Sequence, residues 1–154
     1  MEHEAITEYI RDTFDALDVV EASGDVYFFA DPDGTSDLTR RLPFATIVTS
    51  DAYDQFSNLN RPSVYRLNVG LSGETFLTLF PSSSLDQNDQ TDQIDFTALD
   101  QVMPHPVYGN MFWVFMLNPS AFTFAKVRPL LAEAYAVALA RLQRSRPRPD
   151  VTNS

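Results

Sequence analysis

His105 stands between Pro104 and Pro106. Two fixed φ angles hold its backbone, so a rigid loop presents the ring. An imidazole held this way can serve as a general base or a proton donor. The plainer reading, which we prefer, is a histidine that anchors its own loop through backbone hydrogen bonds. Residues 63–70, SVYRLNVG, alternate along a strand. Val64, Arg66 and Asn68 face one way, and Tyr65, Leu67 and Val69 the other. Arg66 offers a planar fork for a carboxylate or phosphate, and Asn68 offers both a donor and an acceptor. If that face is open, it suits anion recognition. If it is covered, Arg66 must pair with an acid such as Asp51 or Asp54, the better expectation in an acidic chain. Asp51 and Asp54 are also candidate catalytic partners for His105, yet each is a good turn residue. Trp113 reads as core. Its alternative place is the wall of a pocket beside His105 and Tyr108.

The rest of the chemical inventory is thin. The 154 residues include no cysteine and only two histidines. Disulfides, zinc ribbons, iron–sulfur ligation and thiol nucleophiles are therefore excluded. There is no Gly-x-Ser-x-Gly elbow, Gly-rich phosphate loop, His-Glu-x-x-His pair or dinucleotide fingerprint. We expect no metal and no cofactor. Asp31-Pro32-Asp33-Gly34 shares Asp-x-Asp-Gly with calcium loops, but lacks the remaining ligand spacing and reads as a turn.

Hydrophobic residues make up 44% and charged residues 21%, an ordinary balance for a folded domain. Net charge is −10 and unevenly spread: residues 1–103 hold 19 acids and 5 bases, residues 104–154 hold 2 acids and 6 bases. An acidic body repels phosphate backbones, so nucleic acid is not an expected partner. The arginines after residue 140 suit the end of a helix. No apolar run reaches the ~18 residues of a membrane span, and no export signal is seen. A cytoplasmic protein is expected.

Ile6, Ile10, Phe14 and Leu17 repeat at helical spacing, predicting a helix over residues 4–17. A hairpin should follow, turning at Ser23-Gly24-Asp25. Phe44–Thr49 and residues 63–70 are further strands. Ser72 should cap a helix over 73–80 that buries Phe76, Leu79 and Phe80. Asp95 should cap a short helix over 96–102. Residues 111–117 form a buried strand. A last helix should start at Thr123 or Arg128 and run to Gln143, with Pro129 in its first turn. The expected fold is an α+β two-layer sandwich, a mostly antiparallel sheet of about five strands with N- and C-terminal helices packed on it. One domain covers residues 1–146, with a flexible acidic loop near 82–94 and a disordered tail at 147–154.

Three segments also carry a resemblance. They are VVEASGDVYFFADPD (19–33), PFATIVTSDAYDQFSNLNRPSVYRLNVGLSGETF (43–76) and FTALDQVMPHPVYGNMFWVFMLNPSAFTFAKVRPLLAEAY (96–135). Together they resemble the bacterial domain-of-unknown-function 6194 family. The resemblance implies kinship over most of the chain and no activity. Its phrases contain Asp51, Tyr53, Asp54, Arg61, Arg66, Asn68, His105, Tyr108, Trp113 and Asn118.

Three readings of function follow. The first is a binding module for a small polar or anionic ligand, held by Arg66, Asn68, His105, Tyr108 and Trp113. The second is an enzyme with His105 as acid/base, Asp51 or Asp54 as orienter and Arg66 as anion clamp. The third is an interaction protein whose acidic face meets a basic partner. Binding or interaction ranks ahead of catalysis, because no nucleophile stands out.

Overall fold

A computed structural model describes residues 1–32, 42–52, 54–81 and 94–145. The acidic loop (82–93), the tail, Tyr53 and residues 33–41 lie outside the described residues.

The first helix, α1 (His3–Thr13), buries Ile6 and Ile10, which lie one turn apart. Phe14 is already extended, so the predicted helical run to residue 17 stops early. Leu17 instead opens β1 (Leu17–Ala22), which pairs with β2 (Asp25–Ala30). The two are joined by Ser23 and Gly24, at φ 55° and 86°. Two positive φ values give the type I′ turn, whose twist matches a hairpin. The buried Asp25 carboxylate accepts from the backbone N–H and the hydroxyl of Thr49, pinning the turn to the end of the next strand.

That strand is β3 (Ala45–Val48), followed by β4 (Arg66–Gly70), α2 (Gly73–Leu79), β5 (Met103–Pro104), β6 (Trp113–Leu117) and α3 (Ala121–Ser145). The sheet has six strands in the order β1-β2-β3-β4-β6-β5, every pairing antiparallel. The α+β sandwich is as expected, with β5 as the additional strand. Register decides which side chains share a face. Val26, Ile47, Leu67 and Met116 lie side by side, as do Phe28, Ala45, Val69 and Val114. These residues pack with Ile6 and Ile10 of α1 and Phe124, Val127, Leu131 and Ala134 of α3 into the main core. The other face carries the row Tyr27, Thr46, Asn68, Phe115 and Met103, with Val48, Arg66 and Leu117 in the next row. No helix covers it among the described residues. Phe56, Leu59, Val64, Ile94 and Phe96 fold over part of it from the loops and make a second, smaller core.

Four local expectations need correction. Residues 96–102 form turns, not a helix. Asp95 does cap, but as an Asx turn closed by the Thr97 N–H, and Asp100 at φ 61° breaks any continuation. Residue 111 belongs to a 3₁₀ turn (Gly109–Met111), and Phe112 at φ 69° redirects the chain before β6 begins. Leu79 is exposed, because α2 turns Phe76 and Phe80 inward, their rings 5.3 Å apart. Pro129 lies deep inside α3 rather than in its first turn. The helix starts at Ala121 because Ser120 caps it, its hydroxyl accepting from the Thr123 N–H. Packing of Phe124 and Val127 before the proline and Leu131 and Ala134 after it holds the helix together. Among the described residues no helix is long and apolar enough to cross a membrane.

Candidate functional site

The face of the sheet away from the helices carries a cavity of about 540 Å³. Its floor is strand: Thr46 and Val48 from β3, Arg66 and Asn68 from β4, Trp113 from β6. One side is the proline-flanked loop, with His105, Val107, Tyr108 and Met111. Asp54, Tyr27, Leu42 and Pro43 complete it. The volume falls within the ~300–1,000 Å³ usual for small-molecule sites.

Arg66 is 2% exposed and is not an open clamp. Its Nη1 donates to Asp54 Oδ1 at 2.8 Å and its Nη2 to Asp54 Oδ2 at 2.7 Å. Nη1 also donates to the Ser57 hydroxyl. The guanidinium lies over the Phe56 ring, 4.4 Å from its centroid. Such a bidentate, ring-backed pair needs both the charge and the plane of arginine. The nearby carboxylate cancels the cation, so the floor of the cavity presents no net positive charge.

His105 is 5% exposed. Its Nδ1 accepts from the backbone N–H groups of Val107 and Tyr108, at 3.1 and 3.0 Å. This is a loop cap built from an imidazole. An Nδ1 that accepts two donors carries no proton, so the proton sits on Nε2. Burial first and the Arg66 cation second hold the imidazole pKa down to about 4, with Asp54 opposing them in part. His105 is thus neutral at pH 7 and hydrogen-bonds no carboxylate among the described residues. The contact between His105 and Asp51 or Asp54 expected of an acid/base pair is not formed among the described residues. Phe56, Phe115 and Tyr108 surround the ring, 5.2, 5.9 and 4.9 Å away.

Asn68 Nδ2 donates to Thr46 Oγ1 across the strands at 2.9 Å. Asn68 Oδ1 and Arg66 Nε are buried without a hydrogen-bond partner among the described residues. Trp113 is half-buried. It crosses the sheet opposite Gly70, where a Cβ would come within 2.9 Å of the indole. Glycine at 70 is what lets the indole lie flat there.

The structure brings Asp54, Arg66, Asn68, His105, Tyr108 and Trp113 to one cavity and leaves Asp51 out. Asp51 Oδ1 accepts from the Leu59 N–H at 2.8 Å and serves its own loop. Arg61 is a loop clip, donating to the carbonyls of Ser57, Asn58 and Thr97. Asn118 joins two strand ends, accepting from the Tyr65 N–H and donating to the Ser63 carbonyl. Sequence reasoning missed Thr46 and Tyr27 as cavity walls, and Phe56 as the ring beneath Arg66. The alternation in residues 44–49 could have found Thr46, which faces away from Ile47. Nothing local marks Phe56. Among the described residues no group of three or more His, Asp or Glu stands close enough to hold a metal ion.

A six-stranded antiparallel sheet, helices on one face and a walled cavity on the other, defines the class as an α+β two-layer sandwich. The kinship is narrower. Residues 1–147 match the model of a family of unknown function (DUF6194), and the chain belongs to that family. No curated protein and no solved structure matches it.

Proposed function

We propose that the chain is a binding module holding a small, uncharged, polar molecule in the cavity on the open sheet face. One observation carries this reading. A cavity of about 540 Å³, walled largely by apolar and aromatic side chains, has the polar side chains of Thr46, Asn68 and His105 in its lining. A largely apolar concave site of this size with a few polar groups in its wall is the usual form of a small-molecule site. The balance of charges favours a neutral ligand over an anionic one, since Asp54 neutralises Arg66 and the chain carries −10. Catalysis by His105 as a base is disfavoured by the same geometry, with Nδ1 occupied and Nε2 protonated.

The test is thermal unfolding against a library of small neutral compounds, anions and divalent metals, followed by fluorescence of Trp113, the only tryptophan. A ligand of the folded state raises the midpoint by mass action. Neutral compounds should raise it and shift the Trp113 emission together. A library whose hits all leave Trp113 unmoved sinks the proposal.

A further inference from the structure

We infer that the mouth of the cavity is a docking surface for an anionic lipid bilayer, with the loop 106–112 set into the headgroup layer. This goes beyond the binding reading above, and neither depends on the other.

Exposed apolar side chains gather at this one opening. Leu42, Val107, Tyr108 and Met111 all line the cavity, and each is between 49% and 56% exposed. Phe112, also exposed, extends the rim towards α2, its ring centroid 5.8 Å from that of Phe76. Scattered apolar residues are ordinary on a surface, but a contiguous group marks a place of interaction. The loop can also lie against hydrocarbon, because its backbone donors are satisfied from within. The N–H groups of Val107 and Tyr108 donate to His105 Nδ1, and that of Gly109 to the His105 carbonyl. Those of Met111 and Trp113 donate to the Tyr108 carbonyl, and that of Phe112 to the Gly109 carbonyl. Irregular backbone is costly in lipid when such groups are left unmatched.

Charge names the partner. Arg141 is exposed and shares a cleft with Pro43, Met111 and Trp113, so a cation stands at the edge of the apolar rim. In the sequence Arg144, Arg146 and Arg148 follow it with no acid between them, and Arg40 and Arg41 directly precede Leu42. Apolar side chains beside arginines match the boundary between acyl chains and anionic headgroups. The net charge of −10 is not felt there as a whole, since charges beyond a Debye length, about 10 Å at about 0.1 M salt, are screened. An acidic polypeptide would meet the same arginines. It would also bring N–H and C=O groups that need partners, and the loop has already used its own donors. Acyl chains need no such partners, which favours lipid.

The test sediments the full chain with vesicles of phosphatidylcholine alone, and of phosphatidylcholine mixed equally with phosphatidylglycerol. At about 0.1 M salt the chain should follow the anionic vesicles and leave the neutral ones, and about 0.5 M salt should weaken binding about tenfold. Val107→Ser combined with Met111→Ser, and separately Arg141→Glu, should each weaken it about tenfold. All three side chains are exposed, so the variants should keep the wild-type thermal midpoint. The chain has no cysteine, so Val107→Cys accepts a single environment-sensitive dye. That dye should brighten on anionic vesicles. A dye at Glu8→Cys, exposed on α1 against the opposite face of the sheet, should not. The two dyes decide the matter even where a sedimentation variant fails to fold. Sedimentation with neither vesicle, equal sedimentation with both, unchanged binding by a folded variant, or brightening at residue 8 overturns the proposal. Binding of polyglutamate in place of vesicles also overturns it and gives the surface to an acidic polypeptide. A dimer that the Val107 and Met111 changes split overturns it in favour of a second copy. If vesicles bind and the compound library fails, the ligand reading falls alone; the reverse result leaves that reading standing.

Discussion

Asp54 closes on Arg66 across a sheet face that no helix covers among the described residues, two parallel hydrogen bonds of 2.8 and 2.7 Å joining a loop to the second residue row of the sheet. The arginine side chain is 3% exposed and the aspartate 25%. The pair therefore does two things at once: it fastens the loop that carries Phe56 over the second core, and it removes positive charge from the cavity floor.

Breaking that pair from one side should be costly. Asp54→Ala leaves a buried guanidinium with no counter-charge and should destabilise by about 2–3 kcal/mol, the low end for such pairs because Asp54 is partly exposed. The double change Asp54→Leu with Arg66→Met should cost less than either single change. Urea unfolding of the three variants checks this. A double variant less stable than both singles contradicts it.

His105 should prove separable into two roles. His105→Ala loses the acceptor for two backbone N–H groups and should destabilise by about 1–2 kcal/mol. His105→Asn can still accept those bonds, as asparagine does at helix caps, and should recover at least half of the loss. Thermal midpoints of the two variants decide; equal losses mean that the backbone bonds are not what the ring contributes.

Acid should weaken the fold through the same imidazole. Its pKa in the folded chain is held down to about 4, while an unfolded imidazole titrates near 6.5. Between those values the unfolded chain binds more protons, so the contribution is full above about pH 6.5 and is lost as pH falls towards 4. Carboxylates titrate at the lower end of this range, so the informative quantity is the gap between wild type and His105→Asn. Their midpoints should converge as pH falls from 7 to 5. Parallel curves would falsify the assignment.

Polar groups kept for a ligand should burden the empty protein. Thr46→Val with Asn68→Leu removes the buried hydroxyl, the amide and its unmatched oxygen together. The double variant should be as stable as wild type or more stable by about 1 kcal/mol, and should lose ligand response. Calorimetry beside the Trp113 readout tests both halves. A large loss of stability means that the Thr46–Asn68 bond is structural.

Pro129 offers a test far from the cavity. It is exposed and sits inside α3, where its ring removes one backbone hydrogen bond. Pro129→Ala should raise stability by about 1–3 kcal/mol without touching the cavity. A lower midpoint would show that the ring itself packs usefully.

Much of the frame was legible because it rests on short-range pattern. Alternation in residues 63–70 put Arg66 and Asn68 on one face, and the strand register agrees. Ser72 was legible as a cap, and its hydroxyl accepts from the Thr75 N–H. The misreadings arise where one local signal has two outcomes. Asp95 followed by Thr97 suits a helix cap and an Asx turn equally, and only the reversal at Asp100 selects the turn. Pro129 suits a first turn by propensity, but Ser120 begins the helix earlier and packing carries it through. Which aspartate meets Arg66 could not be read at all. Asp51 and Asp54 lie three positions apart on one loop, and the path of that loop over the sheet makes the choice.

The position of β6 has a consequence for how the protein opens. It enters the sheet between β4 and β5, so the cavity floor joins strands from the early meander to one that arrives only near the end of the chain. No partly folded N-terminal piece can own the complete cavity. Occupancy therefore stabilises the globally closed molecule rather than one local unit, and its imprint on hydrogen exchange should fall on the slowest amides of β4 and β6, not on the loops that touch the ligand.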